Sequence, residues 1–170
     1  MSVGEHKKQA PHQVKCAVIT VSDTRSEETD KSGKLMKEML MAKGHSVEFY
    51  QIVKDEGNQI IHSIHTILEN STIKVILLNG GTGIAKRDIT IETVSSLFEK
   101  EIVGFGELFR FLSYTEDIGP AAMLSRAAAG TYRNRVIFST PGSTGAVKLA
   151  MEKLILPELT HIVRELDKDQ

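Results

Sequence analysis

The chain has 170 residues with 21 Lys and Arg against 22 Asp and Glu, a formal net charge of −1, and one cysteine. That size suits one domain burying roughly 70% of its unfolded surface, the charge lacks the clustered basic excess of a nucleic-acid binder, and a lone cysteine excludes an intramolecular disulfide. No apolar stretch approaches the roughly 20 residues that span a bilayer, and the polar start from Met1 to Gln13 has no apolar signal core. A soluble, cytoplasmic protein without nucleic-acid or membrane partners is expected, with residues 1–13 a flexible segment and 14–170 a single domain.

Lys15-Cys-Ala-Val-Ile-Thr-Val21 is a nearly continuous β-favouring run, the pattern of a strand covered on both faces in a parallel sheet. Cys16 within it reads as a small buried hydrophobe. Beyond the loop from Ser22 to Asp30, Leu35, Met36, Met39 and Leu40 recur at helical spacing, with Gly44 placed as a C-terminal cap. Val47, Phe49 and Val53 alternate with Glu48 and Tyr50 as in a second strand. Ile60, Ile61, Ile64, Ile67 and Leu68 then mark a second amphipathic helix. His62 and His65 lie on that helix opposite its apolar face and read as solvated surface, since zinc asks for at least three protein ligands.

The third strand runs from Ile73 into Asn79-Gly-Gly-Thr-Gly83, followed by Lys86, Arg87 and Asp88. Glycines without Cβ atoms let main-chain N–H groups approach an anion, and a following helix adds the positive end of its dipole. A carboxylate beside bound phosphates repels them unless a divalent cation lies between, so Asp88 points to phosphate chemistry with Mg²⁺.

A third helix is predicted from Thr90, capped by it and carrying Val94, Leu97 and Phe98. Phe105, Leu108, Phe109 and Leu112 form a helical apolar stripe, with Glu107 and Arg110 on another face. Met123 to Ala129 reads as a helix closed by Gly130, and Arg135 to Ser139 as a strand. A long terminal helix follows Pro141-Gly142-Ser143 and is interrupted or restarted at Pro157. The β and α alternation predicts a three-layer α/β/α fold with a mostly parallel sheet.

Ligands of such sheets bind beyond the carboxyl ends of the strands. Four loops take that position: Ser22 to Arg25, Lys54 to Glu56, Asn79 to Asp88 and Thr140 to Ser143. The glycine loop is not a P-loop, because Ala85 and Arg87 stand where that motif requires glycine and a hydroxyl. Nor is it the dinucleotide fingerprint, since Lys86 replaces the third glycine, which weakens a dehydrogenase reading.

Asn79-Gly-Gly-Thr-Gly83 with Arg87-Asp-Ile-Thr90 resembles the glycine motif of the molybdopterin-binding family. Thr20-Val-Ser-Asp-Thr-Arg25, Asp30-Lys-Ser-Gly33, Gly104-Phe-Gly-Glu-Leu-Phe-Arg110, Leu124-Ser-Arg126 and Pro141-Gly-Ser-Thr-Gly-Ala146 resemble further signatures in the family's order, from about Val14 onward. The segment ending at Arg110 is more similar to the B-type biosynthesis proteins than to the Mog-type adenylyltransferases. The resemblance implies the family's α/β fold, and an adenylyl transfer in which the terminal phosphate of molybdopterin attacks the α-phosphate of Mg·ATP and releases pyrophosphate.

By the same resemblance Asp55 and Asp88 would be catalytic and hold Mg²⁺, and Gly80, Gly81, Thr82 and Gly83 would cradle phosphate. Ser22, Thr24, Glu107, Arg110, Ser125, Arg126, Pro141, Gly142 and Ser143 would complete the nucleotide and pterin site, with Arg110 and Arg126 as oxyanion partners. It also implies homotrimers or hexamers, for which the aromatic segment from Phe98 to Phe111 is the candidate contact, and further molybdenum cofactor enzymes as partners. Two departures, Asn79 for the commoner Thr and Ile91 for a frequent Pro, remove no metal ligand. A non-catalytic molybdopterin binder or carrier would use the same pocket. The residues also allow structural roles: Asp88 and Thr90 as helix caps, Asp55 and Glu56 as a polar turn, Glu107 and Arg110 as a solvated pair.

Overall fold

The computed structural model describes residues 2–8, 10–70 and 72–170; Met1, Gln9 and Ser71 lie outside the described residues. A short helix α1 (Val3–Lys8) precedes β1 (Lys15–Val21), α2 (Lys31–Ala42), β2 (Ser46–Val53), α3 (Gly57–Leu68) and β3 (Val75–Asn79). Then come α4 (Thr90–Ser95), the two-residue strand β4 (Lys100–Glu101), α5 (Val103–Glu116) and a 3₁₀ turn (Gly119–Leu124). The chain ends with β5 (Ala128–Tyr132), β6 (Arg135–Thr140), α6 (Thr144–Ala150), a π turn (Met151–Ile155) and α7 (Leu156–Asp167). Among the described residues no helix is long and apolar enough to cross a membrane.

The sheet order is β2-β1-β3-β6-β5-β4, parallel across its first four strands and antiparallel at β5 and β4. Alternate residues of each strand feed two cores. Cys16, Val18, Val75, Leu77 and Phe138 face α2, α5, α6 and α7, while Ala17, Ile19, Ile76, Leu78 and Ile137 face Ile60, Ile64 and Ile67 of α3 and Val94 of α4. The three-layer α/β/α architecture follows, with β1 and β3 buried on both faces. Burial pushes the Cys16 thiol up to about 12, consistent with an inert core position.

Because α2 packs on one face and α3 on the other, the chain switches sides between β1 and β3, and their carboxyl ends diverge into a crevice. This is the feature of the fold that positions the site.

Five local expectations are corrected. The alternation expected along the second strand is broken: the register shifts between Cys16 and Ala17, leaving Glu48 without a partner, so Val47 joins one core and Phe49 the other. Thr90 is the first residue of α4 rather than its cap; the cap position is Ile89, and the Thr90 hydroxyl is buried without a hydrogen-bond partner. Leu97 and Phe98 lie past the end of α4. Leu108 is exposed, and the buried face of α5 runs through Phe105, Gly106, Phe109 and Ser113.

The fifth correction is the largest. Met123 to Ala129 is not a helix: the 3₁₀ turn ends at Leu124 and Ala128 enters β5, paired antiparallel with Ser139. Alanine's helix propensity yields here to the sheet, because the strand covers the open side of β6. Gly130 is not a cap but the place where the Phe98 ring lies; a Cβ there would sit 2.3 Å from that ring. Arg133 and Asn134, with φ of 45° and 60°, turn the β5–β6 hairpin in two residues. Pro157 stands in the first turn of α7, where its missing N–H costs least, and the π turn widens the helix just before it.

Candidate active site

A cleft of about 540 Å³ opens at the carboxyl ends of β1 and β3. Of the residues selected from sequence, Ser22, Thr24, Asp55, Gly80, Gly81, Thr82, Gly83, Asp88, Ser125, Pro141 and Gly142 line it. Ser143 lies next to it and caps α6, its hydroxyl accepting from Ala146 N at 3.1 Å. Glu107 and Arg110 are on α5, outside the cleft wall, with no ion pair between them among the described residues. Arg126 is behind the glycine loop, its guanidinium donating to loop carbonyls.

The glycine loop is shaped by contacts no side chain would permit. Gly80 has φ 96°, and a Cβ there would lie 2.2 Å from the Val21 carbonyl oxygen. Gly81 has φ 66°, and its Cβ would collide with the Thr90 hydroxyl at 2.2 Å and Asp55 Oδ1 at 2.7 Å. Strand β3 thus delivers its loop directly against the end of β1 and the carboxylate of Asp55. The amides of Gly81, Thr82 and Gly83 donate to no protein acceptor among the described residues, while Gly80 N bonds to Thr140 O at 3.0 Å. Unpaired N–H groups on a cleft wall are what an anion-binding loop requires.

Three carboxylates share this space. Asp88 Oδ2 accepts from Ala85 N at 3.2 Å, which folds the loop back on itself. Asp55 is half-buried; burial first, then the charges of Asp23 and Asp88, raises its pKa above the usual carboxylate value. Asp23 behaves oppositely. Arg87 forks onto it, Nε to Oδ2 at 2.8 Å and Nη2 to Oδ1 at 2.9 Å, and holds its pKa down at about 2. Asp55 N also donates to Asp23 Oδ1 at 3.2 Å, which ties the loops after β1 and β2 together. Among the described residues no cluster of three His, Cys, Asp or Glu side chains forms a self-contained metal centre. Asp55 and Asp88 are two hard oxygen donors whose charges oppose each other, a set that fits a divalent cation only when further oxygens come with a ligand.

Sequence reading missed Asp23 and Arg25 as site residues, although it placed their loop on the rim. Arg25 lines the cleft and donates from Nη2 to Gly142 O at 2.8 Å. Its Nη1 lies 3.6 Å from Asp30 Oδ1. Asp30 is 1% exposed and is held by Thr20 Oγ1 at 2.6 Å, Gly33 N at 3.0 Å and Tyr50 Oη at 2.5 Å. Asn79 Nδ2 donates to Thr20 Oγ1 at 2.9 Å, extending the network to β3. The available signal was the Thr20-Val-Ser-Asp-Thr-Arg25 segment, which carries both residues on a rim loop, with the carboxylate of Asp30 at the following helix start as a partner for Arg25.

Residues 17–161 match a family described as a probable molybdopterin binding domain. The chain is 60% identical over 168 residues to molybdenum cofactor biosynthesis protein B of Bacillus cereus, covering 99% of each chain. A crystal structure of a molybdenum cofactor biosynthesis protein B superposes with a TM-score of 0.91 at 58% identity, covering 95% of this chain and 100% of the other. The tungsten cofactor synthesizing protein MoaB from Pyrococcus furiosus superposes with a TM-score of 0.82 at 41% identity, over 92% of this chain and 99% of that one.

Proposed function

The chain belongs to the molybdopterin-binding family, and from that premise we propose that it serves molybdenum cofactor biosynthesis by binding molybdopterin and adenylylating it with Mg·ATP. The observation that carries the proposal is the meeting of Asp55 and Asp88 on one cleft with the unpaired amides of the glycine loop. Bound between those carboxylates and the nucleotide, Mg²⁺ would neutralise phosphate charge.

The chain's own residues supply position. The Gly81, Thr82 and Gly83 amides are placed for phosphate oxygens, and the Pro141–Gly142 turn, tied by Arg25, forms the facing wall. A phosphate oxygen of molybdopterin then forms a bond to the α-phosphorus as the bond to the β-phosphate bridging oxygen breaks, and pyrophosphate leaves. Little covalent work falls to the protein in such a transfer; alignment and charge complementarity carry it.

Incubation of the full chain with labelled ATP, Mg²⁺ and molybdopterin tests the proposal: adenylylated pterin and pyrophosphate are expected. Folded protein that binds pterin yet gives neither product would be a carrier. Asp88→Ala is expected to lower product formation by on the order of 100-fold or more while sparing pterin binding.

The same reading extends to a homotrimer or hexamer. Of the segment from Phe98 to Phe111 expected as the contact, Phe105 and Phe109 are buried; Phe111 at 63% exposure and Met123 at 82%, with Leu108, Tyr114 and Ile118, leave an apolar face on α5, the 3₁₀ turn and the link between them, and we assign it to a second copy of this chain. Phe111→Glu is expected to reduce the mass measured by light scattering toward that of a single chain.

A further inference from the structure

Arg126 sits on the short link between the 3₁₀ turn and β5, next to Ser125 on the cleft wall. Its guanidinium reaches three main-chain carbonyls of one loop: Nε donates to Thr82 O at 2.9 Å, and Nη2 to Gly83 O at 2.7 Å and Asp88 O at 3.3 Å. Glu92 of α4 takes the remaining side, accepting from Nη1 at Oε1 and from Nη2 at Oε2, and this pairing lowers the Glu92 pKa. A residue that binds ligand phosphate needs N–H groups free to face it, whereas every guanidinium nitrogen here already donates to a protein oxygen, and of its five N–H groups only the second on Nη1 has no acceptor among the described residues.

We propose that Arg126 is a positioning residue: it ties the middle of the glycine loop, at Thr82 and Gly83, to its end at Asp88 and so holds the Gly81–Gly83 amides and the Asp88 carboxylate ready for a nucleotide phosphate. The planar guanidinium is suited to this because it presents several donors in fixed directions, where a lysine head offers a compact point charge. Fixing the loop in the folded chain means that less freedom is lost when ligand arrives. Glu92 has a separate task. A half-buried cation bonded only to carbonyls would lack a counter-charge, and Glu92 supplies it. Turning the Thr82 and Gly83 carbonyls onto Arg126 also accounts for an observation of the cleft, namely that the neighbouring amides are left without protein acceptors.

The nucleotide half of this proposal rests on the adenylyl-transfer reading; the loop tie does not. Arg126→Gln, Arg126→Lys and Glu92→Gln in the full chain test both halves. Amide hydrogen exchange of Ala85, Asp88 and Thr90, whose N–H groups are bonded within the loop, is measured without ligand, with β1 amides as internal reference, and Mg·ATP binding by calorimetry is paired with kcat and KM. Arg126→Gln is expected to speed loop exchange by at least ~10-fold relative to β1, as loss of a charge-assisted hydrogen bond implies. Its kcat should fall by at least ~10-fold with a smaller change in KM, Arg126→Lys should restore little, and Glu92→Gln should fall between.

Loop exchange at the wild-type rate in folded Arg126→Gln would overturn the tie. Faster exchange with wild-type kcat and Mg·ATP affinity would overturn the positioning role. If Arg126→Gln does not fold, Glu92→Gln decides by the same two outcomes. A wild-type chain that binds no Mg·ATP would sink the adenylyl-transfer reading and the nucleotide half with it, while loop exchange would still decide the tie.

Discussion

The loops after β1 and β2 each bring one aspartate to the same cleft, yet the two carboxylates are in opposite electrostatic states. Asp23 is exposed but has its own cation: Arg87 grips both oxygens and keeps it ionised down to about pH 2. Asp55 is half-buried, faces Asp23 and Asp88, and is harder to ionise than a free carboxylate. A carboxylate already forked by arginine has little left to offer a metal. One whose charge is opposed more than it is balanced gains more from a cation, so proximity to the cleft alone does not identify a ligand.

Substitution at each aspartate breaks that comparison in a different way. The largest effect is expected for Asp55→Asn, which removes a hard oxygen donor of full charge: the proposed adenylyl transfer should fall by on the order of 100-fold or more, with pterin binding retained by equilibrium titration. Asp23→Asn should cost less, roughly 10-fold or below in kcat/KM, because it frees Arg87 and loosens the link to Asp55 without removing a metal ligand. Equal losses in the two variants would show that the carboxylates act alike and would undo the distinction.

Stability should respond with opposite sign. For Asp55 the folded-state pKa is above the unfolded value, about 3.9, so the folded chain binds the proton more tightly and stability falls as pH rises through that window. Asp55→Asn should therefore raise the melting temperature of ligand-free protein at pH 7, by roughly 1–3 °C, and the gain should vanish in melts below pH ~4. Asp23 has a folded-state value of about 2, below its unfolded value. Its contribution is present above pH ~4 and lost as pH falls toward 2. The smallest effect is expected here: Asp23→Asn should slightly lower the melting point at pH 7 and not at pH 2. A destabilised Asp55→Asn at neutral pH would reverse the account of its environment.

In the parallel part of the sheet, the two strands buried on both faces were readable from their apolar runs. Lys15–Val21 has the predicted bounds, and the third strand delivers the chain into the glycine loop as expected, because strands buried on both faces need unbroken apolar runs that leave a plain mark on sequence. The antiparallel end was not readable. Ala128 and Ala129 look helical on local propensity, and only the open side of β6 turns them into a strand. The bulge at Glu48 was hidden for a related reason, since it depends on how β2 meets its neighbour.

The loops that line the cleft were legible, with Asp55 and Asp88 in them, because glycine and acid patterns after strands are local signals; a shared metal role for the two aspartates came from the family resemblance and not from those patterns. Arg126 was legible as a cation but not as a tie behind the loop, and Asp23 could not be separated from Asp55. Those distinctions depend on which charges meet across loops far apart in sequence: Arg87 lies 64 positions from Asp23, and Arg126 lies 44 from Thr82.

The amino-acid order by itself determined the α/β class, the core runs of β1 and β3, and the glycine turn that must lack side chains, since all are set by period, propensity and sterics within short stretches. Tertiary structure alone decided which carboxylate an arginine grips and which it does not, and which arginine serves the backbone. Hydrogen bonds act over about 3 Å and exposed charges over roughly 8–10 Å in salt, so both are assigned only when the loops close on one another.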